Sequence, residues 1–211
     1  MDDIQTFRDV FRHHVPTLQQ VRGESAVLAP LVQMGGELHL LYEVRSQTIE
    51  QPGEVCFPGG RMENGETPQQ CALRETWEEL GIPASAIEIL GLPDYLHIRG
   101  DRILHPVLGL VDEKALSHLT LSQGEVADTF TVPLQWLRAH PPTFYRHRQQ
   151  VEIPGFPVEE VGITQDYRWF PHYLEVPIYH GLPHPLWGLT ARITYWLLET
   201  AAAWEKGAAT D

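Results

Sequence analysis

Ile4, Phe7, Val10 and Phe11 recur at spacings of three and four, which predicts a short amphipathic helix over residues 4–11, ended by His13, His14 and Pro16. Two apolar runs, 26–32 and 38–44, flank the pair Gly35-Gly36 and predict a strand, a tight turn and a second strand. From 45 to 65 the pattern breaks: Pro52, Gly53, Pro58, Gly59, Gly60 and Gly65 leave room for one short strand at 55–57. A loop of that length usually serves a function. Thr67 and Pro68 supply a cap and a first turn, and Gly81 a stop, so residues 68–80 are expected as a helix burying Leu73, Trp77 and Leu80. Further strands are expected at 87–96 and 103–111 around the turn-prone Arg99-Gly100-Asp101, then a helical piece at 114–118 and a strand at 126–132. Pro133 opens a short helix through Leu137, strands are expected at 145–153 and 168–176, and a last helix at 186–204 precedes a frayed tail, 206–211. With no repeat and no linker, residues 1–211 read as one α/β or α+β sandwich preceded by a helical extension, 1–20.

Charge narrows the partners. Fifteen Lys and Arg against 28 Asp and Glu give a net charge of −13, which repels a nucleic-acid backbone, so no nucleic-acid partner is expected. Cys56 and Cys71 are too few and too far apart for a disulfide framework or zinc knuckle, and are expected as buried free thiols in a reducing compartment. No apolar stretch approaches the ~18 residues of a membrane helix, and the start MDDIQTFRDVF is acidic, unlike a signal peptide. The expected setting is the cytoplasm, away from membranes. Of the eleven histidines, His13-His14, His140, His147, His172, His180 and His184 are read without paired helical spacing and are expected in structural or surface roles, and the stretch Trp187 to Trp196 of the last helix is expected as core packing.

The chemistry lies in the predicted helix 68–80. At about 100° per residue, Glu75, Glu78 and Glu79 share one face, with Arg74 at its edge. Three carboxylates this close repel one another and call for a counter-charge. Taken alone, RETWEE also fits a merely solvated face. An all-oxygen ligand set with no Cys or His in it favours a hard ion, Mg²⁺ or Mn²⁺, of the kind that also binds substrate phosphates.

Gly60, five residues, Glu66, seven residues, Arg74-Glu75, two residues, Glu78-Glu79, one residue and Gly81 together reproduce the Nudix box. The chain therefore resembles a Nudix hydrolase, departing only at Thr76, where the pattern has an apolar residue. The resemblance implies the Nudix fold, an α/β/α arrangement with a mixed sheet between helices and a C-terminal helix, and hydrolysis of a nucleoside diphosphate linked to another moiety. It implies Glu75 and Glu79 as main metal ligands, Glu78 as a further or water-mediated one, and the Gly60 carbonyl as an additional contact. Arg74 would orient the carboxylates and Glu66 support the loop. Glu125, ahead of the strand at 126–132, matches the position of a further ligand or general base.

Upstream, RSQTIEQPGEVCFPGG, residues 45–60, is similar to the extra motif of the coenzyme A diphosphatase subgroup, and EVADTFTVPLQWL and PLWGLTARITYWLL are similar to later segments of it. That similarity implies cleavage of coenzyme A or an acyl-CoA to 3′,5′-ADP and a 4′-phosphopantetheine. Arg45, Arg61, Phe57 and Gly59 are then the candidate substrate-binding residues, and a homodimer is left open. The loop QTIEQP carries Glu50 and no basic residue, so Arg45, Arg61, Arg99 and Arg102 are the cations available for a 3′-phosphate. ADP-ribose, NADH or a dinucleoside polyphosphate is the alternative substrate, and a silent nucleotide-sensing module the alternative of another class.

Overall fold

In the computed structural model, which describes residues 3–15, 18–98, 101–149, 154–157, 159–163 and 172–208, the chain begins with α1 (Asp3–Arg12). Gly35 and Gly36 both take positive φ, 57° and 88°, the backbone that a two-residue reversal demands and that L side chains resist. β1 (Gly23–Met34) therefore turns directly into β2 (Glu37–Arg45), with Met34 opposite Glu37. Two short strands follow, β3 (Val55–Cys56) on β2 and β4 (Gly59–Arg61) on β1.

α2 (Pro68–Leu80) has the bounds its sequence signals. The Thr67 hydroxyl accepts from Gln70 N–H, the Gln70 side chain accepts from Thr67 N–H, and Gly81 closes the other end in the left-handed conformation. Beyond it lie β5 (Ile87–Gly91), β6 (Leu96–Ile98), β7 (Arg102–Val111), α3 (Glu113–Leu116), β8 (Val126–Pro133) and α4 (Leu134–Ala139). The remaining elements are β9 (Thr143–Gln149), β10 (His172–Tyr179), β11 (Leu186–Trp187) and α5 (Gly188–Ala208).

The main sheet runs β3-β2-β1-β7-β5, with β4 on β1, β6 on β7 and β8 on β2. Among the described residues, only β1 and β7 pair in parallel and the other pairings of this sheet are antiparallel, so the sheet is mixed. Because strand side chains alternate, β1 feeds two cores. Ala26, Leu28 and Val32 pack with Leu41 and Val107 beneath α2, while Ala29 packs with Leu40, Tyr42 and Leu104 beneath α4 and α5. A hydroxyl chain fastens α5 to the sheet: Tyr42 Oη and Thr194 Oγ1 are 3.0 Å apart, Thr194 donates to the Thr190 carbonyl, and Thr190 donates to the Val55 carbonyl. β11-β10-β9 form a second, three-stranded sheet.

Several expectations shift. Gly59–Arg61, read as loop, is strand β4, because its backbone pairs with Ser25, Ala26 and Val27. The expected strand 87–96 divides into β5 and β6, with residues 92–95 leaving the ladder around Pro93, which has no N–H to donate. Leu186 and Trp187 belong to a strand, not to the last helix. Trp77, expected on the buried face, is 56% exposed because Ala72, Thr76 and Leu80 take the inward face of α2; in the stretch 187–196, Thr190, Ala191, Ile193 and Thr194 are buried, while its end residues Trp187 and Trp196 stand 42% and 57% exposed. The apolar stripe of α1 is likewise exposed. Arg99, and residues 150–153 and 168–171 of the expected late strands, lie outside the described residues.

Candidate active site

The β4–β1 pairing sets Gly59 and Gly60 against the N-terminal half of β1, and α2 crosses above them. Both positions need glycine because of what lies close by. A Cβ on Gly59 would stand 2.3 Å from the Ala26 carbonyl oxygen, and one on Gly60 would stand 2.3 Å from Glu75 Oε1. The space that a side chain would fill at Gly60 is occupied by a carboxylate. One turn further, Glu79 Oε2 accepts the Gly59 N–H at 2.8 Å.

The three ridge carboxylates differ in setting. Glu79 is buried at 6% exposure, Glu75 is mostly buried, and Glu78 stands half in solvent. Arg74 ties the ridge together: it donates to Glu66 Oε1 and Oε2 (3.0 and 3.1 Å), Glu75 Oε1 (2.8 Å), Glu78 Oε2 (3.2 Å) and the Arg61 carbonyl (3.2 Å). That uses most of the guanidinium fork, which a lysine could not reproduce. Glu66 is itself fixed by the Glu63 N–H at 2.9 Å, so the loop before α2 and the helix share one network. The Arg74 bonds, then that N–H, hold the Glu66 carboxyl below the usual range, and Glu66 above all raises Arg74 further.

Thr76 is fully buried and donates to the Ala72 carbonyl at 2.6 Å, which satisfies its hydroxyl inside the helix. The Gly60 carbonyl receives the Cys71 thiol at 3.6 Å. Cys71 is buried, and burial pushes its thiol up to about 11.

Glu43 is a residue that the sequence reading misses. It lies in β2, two positions from Leu41 and hence on the α2 side of the sheet, at 2% exposure. Its Oε1 accepts the Cys56 thiol at 3.0 Å, and its Oε2 is buried without a hydrogen-bond partner among the described residues. Burial pushes Glu43 up to about 7 and, with the Glu43 charge next, Glu79 up to about 9. Burial also raises Glu75 against the pull of Arg74, and raises the Cys56 thiol, which faces Glu43. A single glutamate inside the apolar run LHLLYEVR was the available signal.

Glu125 is exposed, yet its charge acts on Glu43, Glu75 and Glu79 alike. Its loop is bound to the upstream loop: Ser46 N–H donates to the Glu125 carbonyl and Thr48 Oγ1 to that of Gly124. Arg45 turns onto its own loop, donating from Nε to the Glu50 carbonyl at 2.9 Å. Arg61 is exposed at the end of β4, and Arg102 at the start of β7. Phe57 is 3% exposed and stacks on Tyr42 at 5.0 Å, so its ring is spent on the core and does not face a ligand as expected.

Among the described residues, no three His, Cys, Asp or Glu side chains already close around one point. The donor set nevertheless fits a hard cation: carboxylates crowd one face, the cradle at Gly60 is shaped around Glu75, and an orphaned buried oxygen points at Glu43 as a further donor. Among the described residues, no helix is long and apolar enough to cross a membrane.

A carboxylate ridge of this kind, seated on a glycine pair in a mixed sheet between helices, is a family trait. Residues 23–152 match the NUDIX domain, and the chain belongs to that family, whose hydrolases generally use divalent metals. It is 39% identical over 143 residues to Nudix hydrolase 3 of Caenorhabditis elegans, covering 65% of this chain and 60% of that protein. The chain thus spans about 60% of the length of that relative. It is 30% identical over 204 residues to the mitochondrial coenzyme A diphosphatase NUDT8 of Mus musculus, covering 95% of this chain and 89% of that one. A crystal structure of a MutT/nudix family protein from Enterococcus faecalis shares the fold at a TM-score of 0.51 and 14% identity, over 95% of this chain and 69% of the other.

Proposed function

We propose that this chain is a metal-dependent diphosphatase that cleaves coenzyme A or an acyl-CoA into 3′,5′-ADP and the corresponding 4′-phosphopantetheine. The observation that carries the reading is the ridge: Glu75 and Glu79 set against Gly60 and Gly59, braced by Arg74. The relative NUDT8, a coenzyme A diphosphatase by name, aligns along nearly the whole chain and supports the substrate class. Glu75 and Glu79 are the main ligands in this reading, with Glu78 and the Gly60 carbonyl as further contacts and Glu125 as ligand or general base. The ion is Mg²⁺ or Mn²⁺, which when bound neutralises diphosphate oxygens and acidifies a water.

The protein's own part is positioning. Gly59 N–H holds Glu79 by one oxygen, Arg74 holds Glu75 and Glu78 so that they do not splay apart, and Glu66 holds Arg74. Arg61, exposed and next in sequence to Gly60, is the cation assigned to an anionic substrate in this reading, whereas Arg45 acts by shaping the loop 45–54. The two free thiols fit a reducing compartment, the cytoplasm in this reading.

One observation favours a second substrate class, ADP-ribose or a dinucleotide: residues 46–53 contain no Lys or Arg, and Arg45 is turned onto Glu50, so that loop commits no free cation to a 3′-phosphate. Chromatography after incubation with Mg²⁺ or Mn²⁺ and, separately, CoA, acetyl-CoA, ADP-ribose and NADH decides between them. Release of 3′,5′-ADP is the expected result. Intact CoA beside cleaved ADP-ribose would overturn the CoA reading, and nucleotide binding without any turnover would replace it with a sensing module.

A further inference from the structure

Glu43 is costly where it stands. A carboxylate at 2% exposure ordinarily has both oxygens satisfied, because nothing else repays the lost water. Here one oxygen is satisfied and the other is not: Cys56 fixes Oε1, and Oε2 is buried without a partner among the described residues. Of the charges that act on it, Arg45 acts most strongly and favours the ionised form, with its Nε engaged by the Glu50 carbonyl, while Glu125 and Glu75 oppose ionisation. Glu43 in turn acts on Glu79 more strongly than any other charge does. The thiol contact adds direction, because with Oε1 held toward Cys56 the carboxyl plane is set, and Oε2 with it.

We propose that Glu43 is a metal ligand contributed by β2: its Oε2 binds a divalent cation shared with Glu79, and Cys56 is the positioning residue that orients it. The proposal rests on the reading that the α2 ridge holds cations, and it extends the ligand set from the helix to the sheet. A cation resolves the two anomalies together, giving the orphaned oxygen a partner and the crowded carboxylates a counter-charge. A glutamine at the same position would keep an oxygen facing Cys56 and lose the charge.

The test is Mn²⁺ binding to the substrate-free chain, read by electron paramagnetic resonance of free Mn²⁺ and by titration calorimetry, for wild type, E43Q, C56A and E79Q. E43Q is expected to weaken one Mn²⁺ at least tenfold, E79Q to do the same, and C56A to weaken it by a few fold. E43Q is also expected to melt no lower than wild type in EDTA and to gain less from added Mn²⁺. If E43Q binds Mn²⁺ as wild type does while E79Q does not, Glu43 is only a buried neutral carboxyl and the proposal fails with the ridge intact. If wild type itself binds no Mn²⁺, the ridge reading fails and the proposal with it. Should E43Q not fold, E43D, which keeps the charge but retracts it by one methylene, is expected to weaken Mn²⁺ similarly, and unchanged binding in E43D would overturn the proposal.

Discussion

Glu79→Gln separates what the ridge costs from what it does. In the folded protein burial and the Glu43 charge push the Glu79 carboxyl up to about 9, whereas an unfolded chain ionises it near the ordinary value of 4.5. Between those values the folded form keeps a proton that the unfolded form has released, so stability is greatest at low pH and falls as pH rises. Each pH unit in that window costs about 1.4 kcal/mol, hence about 3 kcal/mol from pH 5 to pH 7. At about 2–4 °C per kcal/mol for a chain of this size, the melting temperature of metal-free wild type should lose about 6–12 °C relative to the variant over that span. The substituted glutamine keeps an oxygen for the Gly59 N–H and cannot ionise, so the variant escapes the loss. The assay is thermal melting of both proteins in EDTA at pH 5, 6, 7 and 8, with the difference in melting temperature plotted against pH. Parallel curves for the two proteins would refute the reasoning. The same substitution should lower turnover at least about 100-fold, about 2.7 kcal/mol of barrier, because in the proposed function it removes a charged ligand.

The two glycines should fail differently. Gly59→Ala drives a methyl into the Ala26 carbonyl and Val27 Cα, backbone that cannot yield, so melting should show a loss of several kcal/mol. Gly60→Ala meets only the end of the Glu75 side chain, so the protein should fold with near-native stability and lose tenfold or more in kcat/KM and in Mn²⁺ affinity. Arg74→Lys keeps the charge but not the fork joining Glu66, Glu75 and Glu78, and kcat should fall at least tenfold at saturating metal. Thr67→Ala removes one half of the capping box and should cost about 1 kcal/mol by chemical denaturation, with kcat unchanged.

What could be read from the residues alone followed the strength of local signals. α2 was legible to the residue because Thr67, Pro68, Gln70 and Gly81 act within one turn of its ends. The β1–β2 hairpin was legible for the same reason, through Gly35 and Gly36. β4 was not, since Gly59, Gly60 and Arg61 have no strand preference of their own and are extended only because β1 offers its edge. The identity of the ridge was legible from spacing, but its unequal burial was not, because Glu79 is buried against groups distant in sequence such as Gly59. Glu43 escaped notice because it matches no spacing on its own strand; it meets Cys56 thirteen positions away and the ridge across the sheet. Trp77 misled for a related reason: apolar character predicts burial only where a helix turns that residue inward, and α2 turns Ala72, Thr76 and Leu80 inward instead.

The glycine pair rides on β1, an interior strand of the main sheet, whereas the loop from Arg45 to Glu54 is tied to itself and to Gly124 and Glu125. In the proposed reading the ridge and the outer loop thus hang from separate supports, joined where Ser46 holds the Glu125 carbonyl. On that reading a lineage could rewrite the outer loop to suit a new leaving group and inherit the glycine-seated helix, provided the anchor at Glu125 is kept.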